Sequence, residues 1–156
     1  MTPEQRFLRE AIELAHANVE KGGRPFGAVV VKDGKVIAGG VNEILRTNDP
    51  TSHAEMNAIR AASQTLGSPN LAGCTVYASG HPCPMCMAAM RMAGVGAVLY
   101  AYSNEDAAPY GLSTAAVYAD LAKPFAEQTL KIRHEPVRLE SREDLYAGWK
   151  KRQGAQ

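Results

Sequence analysis

Two short motifs restrict the fold of this chain more than any other feature. His53-Ala54-Glu55 follows a turn sequence, Asp49-Pro50-Thr51-Ser52, and opens an apolar helical pattern. Pro82-Cys83-Pro84-Met85-Cys86 follows a run of strand character and opens a second helical pattern. Together they supply an imidazole, two thiols and a carboxylate. A fold that uses these groups as one cluster must bring two helix N-termini to the same point. The surrounding pattern allows it. Strand-like runs at Phe26 to Lys32, Lys35 to Asn42, Thr75 to Ser79 and Ala97 to Tyr102 surround helical patterns at His53 to Thr65 and Pro84 to Ala93. The β-α-β-α-β order implies an α/β fold, its sheet having parallel members covered by helices.

The rest of the chain reads more simply. A first helix spans about Pro3 to Glu20, with Phe7, Leu8, Ala11, Ile12, Leu14, Ala15 and Val19 on its apolar face, and Gly22-Gly23 ends it. Asp33-Gly34 is a two-residue hairpin turn. The Asp49 to Ser52 turn is expected to cap the helix from His53, and proline in the first turn suits the helix from Pro84. Gly67 to Gly73 and Asn104 to Thr114 read as loops, and Ala115 to Lys123 as a short helix. Leu130 to Leu139 is expected to be a last strand and Glu143 to Lys151 a terminal helix. A length of 156 residues fits one domain, residues 1–156, with a C-terminal helix and tail from about 141 to 156.

Charge and composition exclude several classes. Seventeen basic and 16 acidic residues leave a net charge of +1, so the chain lacks the polyelectrolyte character that grips phosphate backbones. Nucleic acid is therefore not expected as a main partner. The longest apolar runs, such as Ala97 to Tyr102, are strand length, so no membrane span is expected. The segment Met1 to Glu10 is charged and lacks the apolar centre of a signal peptide. Of three cysteines, two lie in the ligand motif, which argues against a disulfide framework and for a reducing cytoplasm. Cys74 reads as a small buried hydrophobe near a strand start.

One imidazole and two thiolates suit zinc and leave its fourth tetrahedral position open to water, whose pKa the ion lowers. Glu55, two residues from His53, is then a base able to take and return the proton. Helix N-termini at Cys83 and Cys86 favour thiolate over thiol. Two thiolates neutralise the ion and acidify its water less than three histidines would, which makes the base more necessary. Two duller readings stand beside this one. Cys74 or His81 could complete a four-ligand structural site, or the two thiols could form a redox pair. Neither explains the carboxylate at Glu55. His16 and His134 read as ordinary core or surface histidines, and Lys150-Lys151-Arg152 as a solvated tail. Asn42 ends a strand that opens near the metal, where it is either a turn residue or part of the site. Phe26 is either core or site wall.

Pro25-Phe26-Gly27-Ala28-Val29-Val30, Asn42, Asn48-Asp49-Pro50-Thr51, His53-Ala54-Glu55 and Pro82 to Cys86 together resemble the cytidine-deaminase-like superfamily, over about residues 5 to 150. Within it the chain looks most like the small bacterial guanine deaminases, then the tRNA adenosine deaminases. Asp106-Ala107-Ala108, Gly111, Tyr118 and Trp149 tilt the resemblance toward the former. The resemblance implies a three-layer α/β/α sandwich around a five-stranded mixed sheet. It implies a homodimer, in which the C-terminal tail can be exchanged. It implies one Zn²⁺ per chain on His53, Cys83 and Cys86, with Glu55 as the catalytic proton carrier. It further implies that Asn42 hydrogen-bonds the base, that the Ala54 backbone lies against it and that Phe26 forms part of the wall.

Three departures from the pattern matter. His81 stands where glutamate is usual. Leu112-Ser113-Thr114 replaces a segment that carries a purine-reading acidic residue in guanine deaminases. The tail lacks a terminal aromatic residue. His81, Ser113 and Thr114 are therefore further candidate substrate contacts. The expected activity is hydrolytic deamination of guanine or a related aminopurine, or of another small amino-heterocycle such as a pterin, triazine or pyrimidine. Deamination of adenosine in tRNA is the alternative, and a catalytically silent zinc-binding protein is a third reading.

Overall fold

The computed structural model describes residues 1–154, in two compact units, Met1–Ala122 and the chain from Lys123 onward. The first unit opens with α1 (Pro3–Glu20), whose start is a capping box: the Thr2 hydroxyl accepts the Gln5 N–H at 3.1 Å and the Gln5 side chain accepts the Thr2 N–H at 3.0 Å. Strands β1 (Gly27–Lys32) and β2 (Lys35–Val41) form the expected hairpin. Asp33 and Gly34 both have positive φ, 51° and 76°, as a two-residue turn matched to strand twist requires. Then follow α2 (Ile44–Thr47), α3 (Ala54–Leu66), β3 (Cys74–Gly80), α4 (Pro84–Ala93), β4 (Ala97–Tyr102), α5 (Asn104–Ala107), a 3₁₀ turn at Ala108–Tyr110 and α6 (Ala115–Leu121).

The sheet order is β2-β1-β3-β4, with β1 antiparallel to both neighbours and β3 parallel to β4. It is a mixed sheet. Alternation along the central strands explains why both faces are covered. Ala28 and Val30 of β1, with Cys74 and Val76 of β3, pack against Ala54, Ala58 and Ala62 of α3 and Cys86 and Met90 of α4. Val29, Val31 and Tyr77 point the other way and cluster with Phe7 of α1, whose ring lies 5.1 Å from that of Tyr77. Cys74 is buried in the first of these clusters, as the sequence suggested.

Gly40 sets how closely α3 approaches β2. A Cβ there would lie 2.6 Å from both the Ala54 carbonyl oxygen and the Ala58 nitrogen, backbone atoms that cannot swing aside. Gly40→Ala is therefore expected to push α3 away from the sheet and destabilise the protein by about 2 kcal/mol. A thermal melt reads this directly, and an unchanged midpoint would show that the helix can shift freely.

The sequence expectations need several corrections. The sheet has four strands among the described residues, not five. The segment expected as a last strand, Leu130 to Leu139, joins no ladder, and its Leu130, Val137 and Leu139 are exposed. Strand-forming residues do not by themselves supply the neighbour that must take up backbone N–H and C=O groups, and Pro136 has no N–H to offer one. The expected Asn104 to Thr114 loop begins as helix, because Ser103 and Asp106 form a second capping box, the Ser103 hydroxyl accepting the Asp106 N–H at 3.1 Å and the Asp106 carboxylate the Ser103 N–H at 2.8 Å. One further turn of helix, α2, closes on Asn48 at φ 57°. The helix expected to Lys123 ends at Leu121.

The second unit contains a 3₁₀ turn at Phe125–Glu127 and α7 (Leu145–Gly154), which begins two residues later than expected. Lys151 and Glu143 form a 2.6 Å ion pair within it. The expected tail reaches 156, and its last two positions lie outside the described residues. Among the described residues no helix is long and apolar enough to cross a membrane.

Candidate active site

Both site helices begin without a side-chain cap. The N-cap of α3 is His53 and that of α4 is Cys83, each with extended backbone (φ −79°, ψ 157° and φ −72°, ψ 167°), and neither side chain makes the usual capping bond. The expected capping of α3 by the Asp49 to Ser52 turn is thus corrected. Asp49 Oδ1 instead accepts the Thr51 N–H and hydroxyl at 2.8 and 2.7 Å, which hold its carboxyl below the usual range. The position of α3 is fixed from within, where Asn57 donates to the Val41 carbonyl at 2.8 Å and to Ser52 Oγ at 3.0 Å. Helix starts that give up the usual cap leave free N–H groups and a positive dipole end facing whatever binds there.

His53, Cys83 and Cys86 converge, their ligand atoms lying within 4.8 Å of one another. Cys83 Sγ lies 3.4 Å from His53 Nδ1, Cys86 Sγ lies 3.6 Å from it, and the sulfurs are 3.7 Å apart. A tetrahedral ion with ordinary Zn–S and Zn–N bonds would separate its ligands by about 3.8 Å for S–S and about 3.5 Å for N–S. The three donors therefore fit three corners of a zinc tetrahedron. Cys74, proposed as a fourth ligand for a structural site, is buried in the core cluster and absent from this group.

The cluster's electrostatics suit it. The hydrogen bond from Cys86, with a further one from His53, pulls the Cys83 thiol down to about 4, while the same contact and burial push Cys86 up. The contact with Cys83 raises the His53 pKa. Glu55, two residues into the chain from His53, is 5% exposed, and burial lifts its carboxyl above the usual range. A buried carboxyl so placed can hold a proton at a pH where an exposed one would be ionised.

A cavity of about 200 Å³ opens beside this cluster. Asn42, Ala54, Phe26, His81, Ser113 and Thr114, the six residues singled out from sequence as contacts, all line it together with His53, Glu55 and Cys83. Asn42 is 4% exposed, and its Oδ1 accepts the Ile44 N–H at 3.1 Å. The His81 ring stacks on Tyr100 with centroids 4.6 Å apart and tilts against Tyr118 at 5.3 Å. Tyr118 of α6 in turn donates its hydroxyl to the Pro82 carbonyl, beside Cys83. Phe26, His81 and Leu112 also form one wall of a larger neighbouring cavity of about 630 Å³.

Sequence reasoning missed Arg24, Gly111 and Leu112 as lining residues. Arg24 precedes Pro25-Phe26, already a site segment, and that adjacency was the available signal.

Residues 1–102 match the cytidine and deoxycytidylate deaminase zinc-binding region. The chain is 46% identical over 127 residues to guanine deaminase of Bacillus subtilis, covering 81% of each protein. The X-ray structure of guanine deaminase from that organism superimposes with a TM-score of 0.83 at 42% identity, over 94% of this chain and 93% of the other. A structure in complex with 2,6-diaminopurine matches with a TM-score of 0.69 at 29% identity, over 72% and 63% of the two chains. A tRNA:A34 deaminase structure matches with a TM-score of 0.63 at 36% identity, over 65% and 78%. With its three-donor cluster, buried glutamate and mixed sheet, the chain belongs to the cytidine and deoxycytidylate deaminase family of zinc-dependent hydrolytic deaminases.

Proposed function

We propose that the chain releases ammonia from an amino-substituted, nucleobase-like heterocycle, with guanine or a related aminopurine as the first substrate class. The observation that carries this reading is a zinc-sized donor triangle set beside one buried carboxylate, at the floor of a cavity the size of a single base. His53, Cys83 and Cys86 hold the metal, one Zn²⁺ per chain. Bound there, zinc supplies Lewis acidity that makes water a usable nucleophile at neutral pH. Glu55 takes a proton from the attacking water and delivers it to the ring nitrogen beside the reacting carbon as the C–O bond forms. It then moves the second proton to the amino group. The C–N bond breaks, ammonia leaves and the ring keeps an oxo group. Phe26 and His81 flank the ring, the Asn42 amide and the Ala54 backbone N–H orient it, and Ser113 and Thr114 meet its edge.

The two units act as one deaminase domain, and a reducing cytoplasm suits its free thiols. The exposed Tyr100 and Tyr102 on β4, an edge strand of the sheet, support a homodimer with an exchanged tail, as the resemblance implies. Equilibrium sedimentation should report twice the 16.7 kDa chain mass. A monomer at micromolar concentration would remove the dimer.

Deamination of tRNA adenosine is the second reading, favoured by the similarity to a tRNA:A34 deaminase. The net charge of +1 and the acidic pair Glu105-Asp106 support the free base instead. Ammonia release from free guanine, adenine, isoguanine, cytosine, a simple pterin and an aminotriazine, set against an anticodon stem-loop, separates the two. Turnover of a free base supports the proposal, and activity confined to the stem-loop replaces it.

A further inference from the structure

Among the residues that line the site cavity the one guanidinium belongs to Arg24, which lies there with Asn42, His81, Ser113 and Thr114. We infer that Arg24 is a specificity-determining residue, and that the cavity selects amino-heterocycles that carry an oxo group or anionic ring nitrogen besides the reacting amidine. The inference deepens the proposed function and rests on it.

The backbone holds Arg24 in place beside Asn42. One Asn18 amide group donates to the Arg24 carbonyl at 2.8 Å and to the Asn42 carbonyl at 2.8 Å, bridging the two. Gly23 makes room for that bridge, since a Cβ there would lie 2.5 Å from Asn18 Nδ2. The Arg24 guanidinium is near enough to His53 for its charge to act on the imidazole. The ion pairs found among the described residues engage other arginines and a lysine, and none takes up Arg24.

The polar inventory follows from what each group has already spent. Arg24 has only donors to offer. Asn42 Oδ1 already accepts the Ile44 N–H on one lone pair, and its NH₂ offers two donors. Ser113 Oγ accepts the Ala115 N–H at 3.2 Å and still offers its O–H and a second lone pair. Thr114 donates its hydroxyl to Asn104 Oδ1 at 3.4 Å and keeps its lone pairs. Glu55 is the carboxylate among the described lining residues, and proton transfer occupies it. A ring with an oxo group or a negative nitrogen pairs with these donors. A ring without one forgoes those bonds, and a site built on hydrogen bonds discriminates against it.

Two matched pairs test this: guanine against 2-aminopurine, and isoguanine against adenine. Within each pair the members differ by the oxo group and the ring N–H that comes with it. The zinc-loaded protein is expected to favour the oxo member by about 30-fold or more in kcat/KM. Arg24→Gln should cut that ratio about tenfold, mostly through KM, and Arg24→Lys should restore part of it. Equal rates within pairs, or a ratio that Arg24→Gln leaves alone, would overturn the inference. If none of the four is deaminated, the proposed substrate class falls, and calorimetric binding of the same bases to zinc-loaded Glu55→Gln protein decides separately. Tighter binding of the oxo members, lost on adding Arg24→Gln, sustains the role of Arg24. Equal binding, or none, ends it.

Discussion

Glu55→Gln is expected to leave one zinc per chain and to lower kcat by roughly 10³-fold or more. The substitution keeps the shape and burial of the side chain, so the fold and the donor cluster have no reason to move. It removes the one group placed to carry two protons, from water to ring nitrogen and then to the leaving amine. Burial makes this carboxyl suitable for the task, since its pKa lies above the usual carboxylate range and so nearer that of the groups it serves. Metal analysis and steady-state ammonia release on the same preparation check both halves. Substantial turnover in zinc-loaded Glu55→Gln protein would remove Glu55 from the chemistry. Loss of zinc would instead show that the carboxylate helps to build the metal site.

Cys83→Ala is expected to reduce zinc content from one per chain to below about 0.1 after dialysis against a weak chelator, and activity with it. The reason is geometric. Three donors set 3.4, 3.6 and 3.7 Å apart define three corners of a tetrahedron, and two donors with an open face do not hold the ion against competition. Cys83 is the better choice than Cys86 for this test. It is half-buried at the helix start, whereas Cys86 belongs to the core cluster, so its loss would mix a packing defect with a metal defect. Circular dichroism of Cys83→Ala should keep the helical signal. Full zinc retention would mean that another residue supplies the third ligand.

Much of this site could be read from the chain because its signals are local. The hairpin at Asp33-Gly34 needs only two residues able to adopt positive φ, and both do. The alternation of Val29 and Val31 with Ala28 and Val30 reports two covered faces, and helices pack on both. His53, Glu55, Cys83 and Cys86 could be grouped because strand-to-helix turns return to one edge of a sheet. What failed depends on information the local pattern lacks. Segment 130–139 has strand-forming residues but no ladder partner, and a partner is a tertiary fact. The capping of α3 was misassigned because the strongest capping residues, Asp49 and Ser52, are spent on the turn and on Asn57, while His53 occupies the cap. Arg24 escaped notice because a charged residue next to a glycine pair reads as a solvated loop. The Asn18 bridge, together with the Asn42 N–H that donates to the Phe26 carbonyl, puts it beside Asn42.

One metal on His53, Cys83 and Cys86 is expected to drive loss of ammonia from a free heterocycle. The most direct test follows ammonia from guanine and related aminopurines with the protein zinc-loaded, then stripped, then reloaded. Release is expected when zinc is present, with its loss on stripping and its return when one equivalent of zinc is restored. Ammonia release that persists in fully stripped protein would contradict the metal's role. A fully loaded protein that releases none from any free base would contradict the substrate class.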